Sequence, residues 1–193
     1  MEFSKLLTTR RSCRAFDSTP VIEEQIDAIL QAGCRAPSPL NLQPWEFIVV
    51  TDPGMKAQVK EAGEKAKNEV IAADGPGWAK KYSADFIQEA PLLIVVVFDP
   101  GKGGLGMFFG QEYGALQGAS ACIQNMMLKA SELGLGSLWF TFFRPAVLQP
   151  VLNIPENLEI AGVIALGKPA EEVKTTPRRA PVAYREKYGV LKE

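Results

Sequence analysis

The chain of 193 residues contains no histidine. This absence excludes Ser-His-Asp and Cys-His nucleophiles, HExxH metalloproteases and metal sites built on imidazole, and we predict no metal site. Cysteine is also scarce: Cys13, Cys34 and Cys122 are far apart and form no C-x-x-C pair. Such spacing argues against a disulfide framework and indicates a reducing, cytoplasmic location. If the chain is an enzyme, we expect a cofactor to supply its chemistry.

An excess of one charge and a long apolar run are missing as well. The chain has 21 basic and 22 acidic residues, a net charge of −1. It therefore has no broad field that would attract nucleic acid or an anionic membrane, and we expect neither as a partner. The longest apolar run, residues 92–98, is too short to cross a bilayer, and the first residues show no secretory signal. Any anion site must be local.

Apolar periodicity predicts helices that alternate with strands in one domain, residues 1–193. Helices are predicted over 22–35, 53–73, 111–133 and 145–152, and strands over 45–51, 90–98, 137–143 and 158–167. This order predicts a sheet with helices on both faces. The near-continuous apolar character of 90–98 is typical of a strand that is covered on both sides. The polar end, 168–193, is predicted to be extended and to lie on another subunit.

Residues 99–110, DPGKGGLGMFFG, contain a match to G-x-G-x-x-G and are called the glycine loop below. A dinucleotide fingerprint needs its glycines at the end of a strand, a helix that opens within the motif, and an acidic residue about 20 positions later. Here Asp99 and Pro100 intervene, and Gln124 and Asn125 occupy the acidic position. We therefore expect a mobile lid rather than a phosphate site.

Three arginines, Arg10, Arg11 and Arg14, lie within five positions around Ser12 in the stretch TTRRSCRAF. Arginines usually lie on surfaces, so a solvated cluster is one interpretation. The other is an anion site, in which guanidinium groups and a hydroxyl bind a phosphate. The rest of the sequence decides between the two.

Three stretches then occur in a characteristic order. They are RRSCRAF at 10–16, APSPLNLQPWEF at 36–47, and Gly167-Lys168-Pro169 followed by two further arginines. Together they resemble the FMN-dependent nitroreductase family over nearly the whole chain. The resemblance implies an α+β fold with three layers, α/β/α, around a central mixed, mostly antiparallel sheet. It also implies a homodimer with an extended C-terminal tail and one FMN in each of two clefts at the dimer interface.

The resemblance also assigns residues to the cofactor. The residues implied for the FMN phosphate and ribityl chain are Arg10, Arg11, Ser12 and Arg14, with Arg178 or Arg179 closing over the same phosphate. We favour Arg178 of these two. The residues implied for the flavin ring, from the partner subunit, are Pro37, Ser38 and Pro39, with Asn41 and Gln43 bonding its polar edge or bracing the loop. A turn cap before the strand is the alternative role for Asn41 and Gln43.

The segment LGLGSLWFTFF, residues 133–143, passes the reactive face of the ring in this family. The remaining cofactor-binding residues are drawn from it and from the third stretch: Trp139, Phe140, Thr141, Gly167 and Lys168. Trp139 and Phe140 equally fit a core. Many nitroreductases have Gly-Gly or Glu-Gly where this chain has Phe140-Thr141-Phe142, and a hydroxyl there is more similar to the flavin-destructase and iodotyrosine-deiodinase branches. We hypothesise that Thr141 is catalytic, with a hydrogen bond to flavin N5 that favours one-electron or oxygen chemistry.

The implied activity is a ping-pong oxidoreduction, in which NADH or NADPH reduces FMN and a nitroaromatic, quinone or similar conjugated acceptor reoxidises it. Residues 68–90 and the glycine loop are expected to control access to the site. Reductive dehalogenation and oxygen-dependent flavin breakdown are alternative activities, although Glu69, Lys80, Lys81 and Tyr82 lack the spacing of the deiodinase lid. A non-catalytic flavin carrier, and a domain without cofactor whose arginines form dimer salt bridges, are alternatives of another class.

Overall fold

A computed structural model describes residues 2–173 and 176–189. Within these ranges the helices are α1 (Phe3–Thr9), α2 (Glu23–Gly33), α3 (Pro53–Ala72), α4 (Trp78–Lys81), α5 (Asp85–Glu89), α6 (Gly114–Glu132) and α7 (Pro145–Val151). The strands are β1 (Trp45–Val50), β2 (Leu92–Phe98), β3 (Gly136–Phe140) and β4 (Glu159–Gly167). Short 3-10 turns cover Pro39–Asn41, Pro100–Lys102 and Gly104–Phe109.

The four strands form one sheet in the order β1-β2-β4-β3, and each neighbouring pair is antiparallel. The prediction of a mostly antiparallel sheet is therefore confirmed. In the described part of the chain, the parallel component is a single isolated bridge between Ser12 and Ser137. The order leaves β1 and β3 as edge strands, so the free edge of β3 can pair with something else.

Side chains of β2 alternate between two cores, one on each face of the sheet. Leu93, Val95 and Val97 pack with α3, α5 and α7, whereas Leu92, Ile94 and Val96 pack with α2 and α6. All seven residues of β2 are buried, because helices cover both faces of the sheet. This arrangement confirms the three-layer prediction, and the period of two explains why the strand needs apolar residues at every position.

The third strand is shorter than predicted. β3 ends at Phe140, whereas the apolar run SLWFTFF predicts a strand to residue 143. Phe142 leaves the sheet and packs edge-on against Trp78 and Tyr82, at ring-centroid distances of 5.3 and 5.2 Å. Aromatic residues favour strands and aromatic clusters alike, so composition alone did not locate this boundary.

Three short helices, α1, α4 and α5, carry too few apolar positions to be predicted from periodicity. The main helices lie within a few residues of their predicted bounds, and α7 runs through Pro150. The glycine loop forms two 3-10 turns, and β2 has antiparallel neighbours on both sides, so its G-x-G-x-x-G match does not open a βαβ unit.

Residues 176–189 of the tail are exposed and contain no helix or strand. Residues 174–175 and 190–193 of the predicted extended tail lie outside the described ranges. In those ranges, no helix combines the length and the apolar character that crossing a bilayer requires.

Candidate functional site

The arginine motif lies on an extended segment that follows α1 and is tied to the sheet at three places. The Cys13 amide donates to the Ser137 carbonyl over 2.9 Å, and the Asp17 amide donates to the Lys168 carbonyl over 2.9 Å. Phe16 forms an isolated bridge with Pro169. Cys13 and Phe16 are buried. Burial raises the pKa of the Cys13 thiol, which agrees with a packing role.

Positive charge gathers at this segment. Burial lowers the pKa of Arg10, and the nearby charges of Arg178 and Arg11 lower it further. The Arg11 Nη1 atom donates to the Arg10 carbonyl over 2.8 Å, while its buried Nε atom has no partner in residues 2–173 and 176–189. Among the described residues, no ion pair with a carboxylate involves Arg10, Arg11, Arg14 or Arg178. Like charges that are close together and unpaired are suited to an anion.

A second buried polar atom belongs to Ser137. This residue is 1% exposed, and its Oγ atom forms no hydrogen bond with the described residues. A cavity of about 200 Å³ is lined by Arg10, Arg11 and Ser137 together with Gly136 and Pro169. Unpaired buried donors are uncommon in native proteins, so this pair points to a ligand with acceptor atoms. No sequence signal marks Ser137, because a serine at the start of a strand has no distinctive pattern.

Thr141 lies at the other end of the same free edge. It follows β3 directly and is exposed. Along a strand, four residues from Ser137 to Thr141 span about 13 Å. Among the described residues, the segment that pairs with this side of β3 is the one at Ser12 and Cys13, through the bridge to Ser137. One elongated ligand can therefore reach from the arginine cluster to Thr141.

Aromatic side chains from α4 stand beside this edge. Burial raises the pKa of Tyr82 to about 12, and the positive charge of Arg14 opposes this rise, so the two side chains are close. Tyr82 also contacts Phe142, one residue beyond Thr141. Trp78 contacts both aromatic rings and is exposed. Part of the predicted lid, residues 68–90, therefore does lie next to the predicted site. Phe142 was not among the predicted site residues.

The proline-rich loop that was predicted to contact a ring has a tightly turned backbone. The Gln43 amide donates to Ser38 Oγ over 3.0 Å, so the backbone of Gln43 braces the loop. Leu40, Asn41 and Gln43 have positive φ angles of 50°, 54° and 44°. The side chains of Asn41 and Gln43 are exposed.

This loop rests on the N-terminal half of α6, far from the arginines. A Cβ atom added to Gly118 would lie 3.4 Å from Ser38 Cβ, and one added to Gly114 would lie 3.0 Å from Pro39 Cγ. The arginine segment lies instead beside Gly136, just past the other end of the helix. At 1.5 Å per residue, α6 spans about 21 Å from Gly118 to its end at Glu132. One chain therefore does not bring the two predicted halves of the site together.

The other predicted residues have packing roles in the described structure. The Trp139 Nε1 atom donates to the Ala161 carbonyl over 3.2 Å, and the ring lies against Gly162. Phe140 is buried against Phe86 and Phe143. Both side chains thus follow the core alternative.

Four predicted residues belong to the third stretch. Gly167 is buried, and an added Cβ would lie 2.5 Å from Cδ of Pro91. Lys168 Nζ is 4.0 Å from Asp17 Oδ2. Arg179 is exposed, and Arg178 is the member of the arginine pair that acts on Arg10.

Comparison with known proteins agrees with the fold and with the motifs. The model of the nitroreductase family matches residues 7–168. The chain belongs to the nitroreductase family. A protein of Archaeoglobus fulgidus named NADH dehydrogenase/NAD(P)H nitroreductase is 33% identical over 89% of this chain and 87% of its own length.

Two further matches are to proteins with different named activities, a deiodinase and a nitroreductase. Iodotyrosine deiodinase 1 of Sus scrofa is 31% identical, over 92% of this chain and 65% of its own. The solved structure of an FMN-dependent nitroreductase from Clostridium difficile has a TM-score of 0.69 and 28% identity. It matches 89% of this chain and 90% of that chain.

The unpaired Ser137 hydroxyl generates a first prediction. A buried hydroxyl without a hydrogen bond costs roughly 1–3 kcal/mol. We expect Ser137→Ala to leave the free energy of unfolding of the ligand-free protein unchanged or to raise it by about 1 kcal/mol. Urea unfolding measures this, with Ser18→Ala as an exposed control. A loss of more than about 1 kcal/mol in ligand-free protein would show that the hydroxyl already has a partner.

Proposed function

We propose that this chain is an FMN-dependent oxidoreductase that uses NADH or NADPH to reduce a conjugated acceptor such as a nitroaromatic or a quinone. The observation that carries the proposal is the unpaired arginine cluster at the free edge of β3. A chain with a net charge of −1 has ample carboxylates to neutralise these arginines. That none does so in the described structure supports an anionic ligand.

FMN fits the chemistry of these donors. Its phosphate dianion accepts the charge-assisted bonds that Arg10, Arg11 and Arg178 can donate. The Ser137 hydroxyl and the buried Arg11 Nε atom are the unpaired groups that its remaining polar atoms would satisfy. The Clostridium difficile structure, at 28% identity, is that of an FMN-dependent enzyme, which supports the same choice.

Bound flavin supplies the redox chemistry, accepting a hydride from the reduced nicotinamide and passing electrons to the acceptor. The side chains of this chain would bind the flavin and orient it. The arginines and Ser12 fix the phosphate end, and the edge of β3 leads toward Thr141 at the ring end. A hydride needs no protein acid or base to receive it, which suits a chain without histidine.

Completion of the site requires a second copy of the chain. Because α6 separates the arginines from the Pro37–Pro39 loop, the loop can meet a flavin only in the cleft of a partner. Exposed apolar side chains support a dimer: Leu40 beside the loop is 67% exposed, and Ile22 and Leu116 are exposed as well.

Two further parts of the proposal concern the number of domains and the cellular location of the protein. We propose that residues 1–193 fold as one domain, since both cores share the same sheet. We also place the protein in the cytoplasm. All three cysteines are free, as a reducing compartment would keep them.

The arginine cluster generates the second prediction. Arg10→Gln removes one charged donor, and hydrogen bonds to charged groups contribute roughly 1.5–3 kcal/mol, so the FMN dissociation constant should rise about 10- to 100-fold. The measurement is an FMN titration of apoprotein, followed by the visible spectrum of the loaded protein under anaerobic NADH or NADPH. Lys65→Gln, in an exposed ion pair on α3, is the matched control and should leave affinity unchanged.

Two outcomes would contradict the proposed function. If wild-type apoprotein binds no FMN at saturating concentration, the arginines belong to a different ligand. If FMN binds and neither nucleotide bleaches its spectrum, the chain is a flavin carrier or takes electrons from another donor.

A second candidate function is reductive dehalogenation. The observation that favours it is the match to iodotyrosine deiodinase 1, together with a threonine at the end of β3. Glu69, Lys80, Lys81 and Tyr82 lack the spacing of the deiodinase lid, and Glu69 forms an exposed ion pair with Arg144. We therefore rank this activity second, and release of iodide from 3-iodotyrosine under dithionite would reverse the order.

Thr141 generates the third prediction. If its hydroxyl bonds to flavin N5, reductive titration of the wild-type protein should show two successive one-electron transitions. Thr141→Ala should show a single two-electron transition, while Thr141→Ser, which keeps the hydroxyl, should behave as wild type. Identical titrations of wild type and Thr141→Ala would remove Thr141 from the catalytic residues.

A further inference from the structure

A buried lysine joins α3 to the segment that precedes β2. Lys56 lies in the first turn of α3 and is 7% exposed. Its Nζ atom donates to the Ala90 carbonyl over 2.8 Å and to the Gln88 carbonyl over 3.2 Å. Burial lowers the pKa of Lys56, and the charge of Asp52 opposes this effect. In the part of the chain that the structure describes, Lys56 forms no ion pair with a carboxylate, so the two carbonyls are its principal partners.

The two carbonyls lie where the local backbone supplies few donors. Gln88 is in the last turn of α5, a helix of five residues, and the carbonyls of a last turn have no partner within their own helix. Ala90 is fully buried, and Pro91, which follows it, has no amide hydrogen to donate. Because a buried carbonyl without a donor is unfavourable, the Lys56 ammonium stabilises this junction. It fixes the end of α5 to α3 immediately before β2 begins.

Two further contacts between α3 and α5 are exposed to solvent. Lys60, one turn after Lys56, forms an ion pair with Asp85 at the start of α5. The Gln88 Nε2 atom donates to the Pro53 carbonyl over 3.3 Å. Exposed ion pairs contribute little to stability, whereas charge-assisted bonds in a buried place are stronger. Lys56 therefore makes the strongest of these contacts.

The fixed helix α5 in turn holds aromatic side chains of the predicted lid. Phe86 is buried and packs edge-on against Phe140 of β3 and against Tyr82, at ring-centroid distances of 5.7 and 6.5 Å. Tyr82 contacts Phe142 at 5.2 Å, one residue beyond Thr141. A continuous set of contacts thus leads from α5 to the Thr141 end of β3, where the ring end of the flavin is proposed to lie.

The helix before Tyr82 is held less firmly. α4 has four residues, and a Cβ added to Gly77 at its start would meet nothing within 4 Å. Residues 2–173 and 176–189 contain no ion pair to its two lysines. Trp78 is 55% exposed and packs against the rings of Tyr82 and Phe142. The position of the lid next to Thr141 therefore depends on α5 rather than on α4.

We propose that Lys56 is a positioning residue for the acceptor site: its buried ammonium fixes α5, and α5 fixes Tyr82 beside the Thr141 end of β3. This inference rests on the proposed function, because the acceptor must approach the flavin at that end. Lys56 acts from the interface between α3 and α5 and not from the site itself. A displacement of about 1 Å far from the chemistry can lower a rate by up to roughly 100-fold, so loss of the ammonium should impair the orientation of an acceptor.

The first experiment compares lysine variants of the FMN-loaded enzyme. Lys56→Met keeps the apolar stem and removes the donors. The probes are menadione, a flat quinone that needs orientation over the flavin, and ferricyanide, a small inorganic acceptor that does not. We expect kcat/KM for menadione relative to ferricyanide to fall about 10-fold in Lys56→Met, mainly through a higher KM for menadione, with the FMN content retained.

Two further variants complete this comparison. Lys56→Arg keeps the charge and the donors and should restore most of the ratio. Lys60→Gln is the matched control, because it removes the exposed contact between the same two helices, and it should leave the ratio unchanged. An unchanged ratio in folded, FMN-loaded Lys56→Met overturns the inference, and so does an equal fall in Lys60→Gln.

The second experiment needs no variant, so it also applies if Lys56→Met does not fold. It measures amide hydrogen exchange in the wild-type protein. The amides of Ile87 and Ala90, which are bonded to carbonyls in and before α5, should exchange as slowly as those of β2. The amides of Ala79 and Tyr82, bonded in and before α4, should exchange at least about 100-fold faster through local opening.

Exchange of Ile87 and Ala90 at the rate of α4 would overturn the inference, because α5 would then open together with the lid. This measurement does not depend on the cofactor. A wild-type protein that binds no FMN, or whose bound FMN neither nucleotide reduces, would contradict the proposed function instead, before any acceptor ratio is measured.

Discussion

The crowding of a few partly buried arginines beside β3 is the constraint on which the rest of this structure depends. Burial lowers the pKa of Arg10, and the nearby charges of Arg178 and Arg11 lower it further. The backbone holds them there regardless. The Cys13 amide is bonded to β3, and the buried rings of Phe16 and its neighbours anchor the segment in the core. Packing of the segment against the core thus keeps the arginines close together despite the unfavourable free energy of their repulsion. An anion with several oxygens relieves that cost, and specific binding follows from the same repulsion.

The long central helix is the reason that the proposed site needs two copies of the chain. α6 is buried along much of its length by Ala119, Cys122, Ile123 and Met126, so its ends are fixed relative to the sheet. One end borders the arginines and the other carries the proline-rich and glycine loops. Gly118, which contacts the proline-rich loop, is about 21 Å along the helix axis from Glu132, and no small movement of the loops closes this distance. In the proposed dimer each cleft therefore combines a charged half from one chain with an apolar half from the other.

Features fixed by local chemistry could be predicted from the sequence. The seven apolar residues of β2 predicted a strand covered on both faces, and the helices on both sides of the sheet cover it as predicted. The arginines around Ser12 predicted an anion site, which stays a prediction; the charge of Arg178 acts on Arg10 in the structure. Features fixed by long-range pairing could not be predicted. The antiparallel order leaves β3 at an edge, which no local pattern encodes, and this edge gives Ser137 and Thr141 their place in the proposed site.

The structural roles of the aromatic residues were the hardest to predict from the sequence. All four residues of the run Trp139-Phe140-Thr141-Phe142 suit a strand, yet they have four different roles. The Trp139 indole bonds to a neighbouring strand, Phe140 is buried in the core, Thr141 is exposed, and Phe142 contacts Trp78 of the predicted lid. Hydrophobicity and strand propensity are nearly the same for these aromatic positions, so only tertiary contacts distinguish them. Family resemblance assigned three of the four to the cofactor, and the structure gives two of those three a packing role.

The proposal that each flavin site is shared by two chains is tested most directly by following flavin and molecular mass together as the FMN-loaded protein is diluted. Sedimentation with detection at the flavin and the protein absorbance bands measures both in one experiment. Because each proposed cleft needs two chains, we expect FMN to sediment with the dimer. Any monomer that forms should contain no FMN. A monomer that sediments with its full complement of FMN would contradict the shared site and the role assigned to the proline-rich loop.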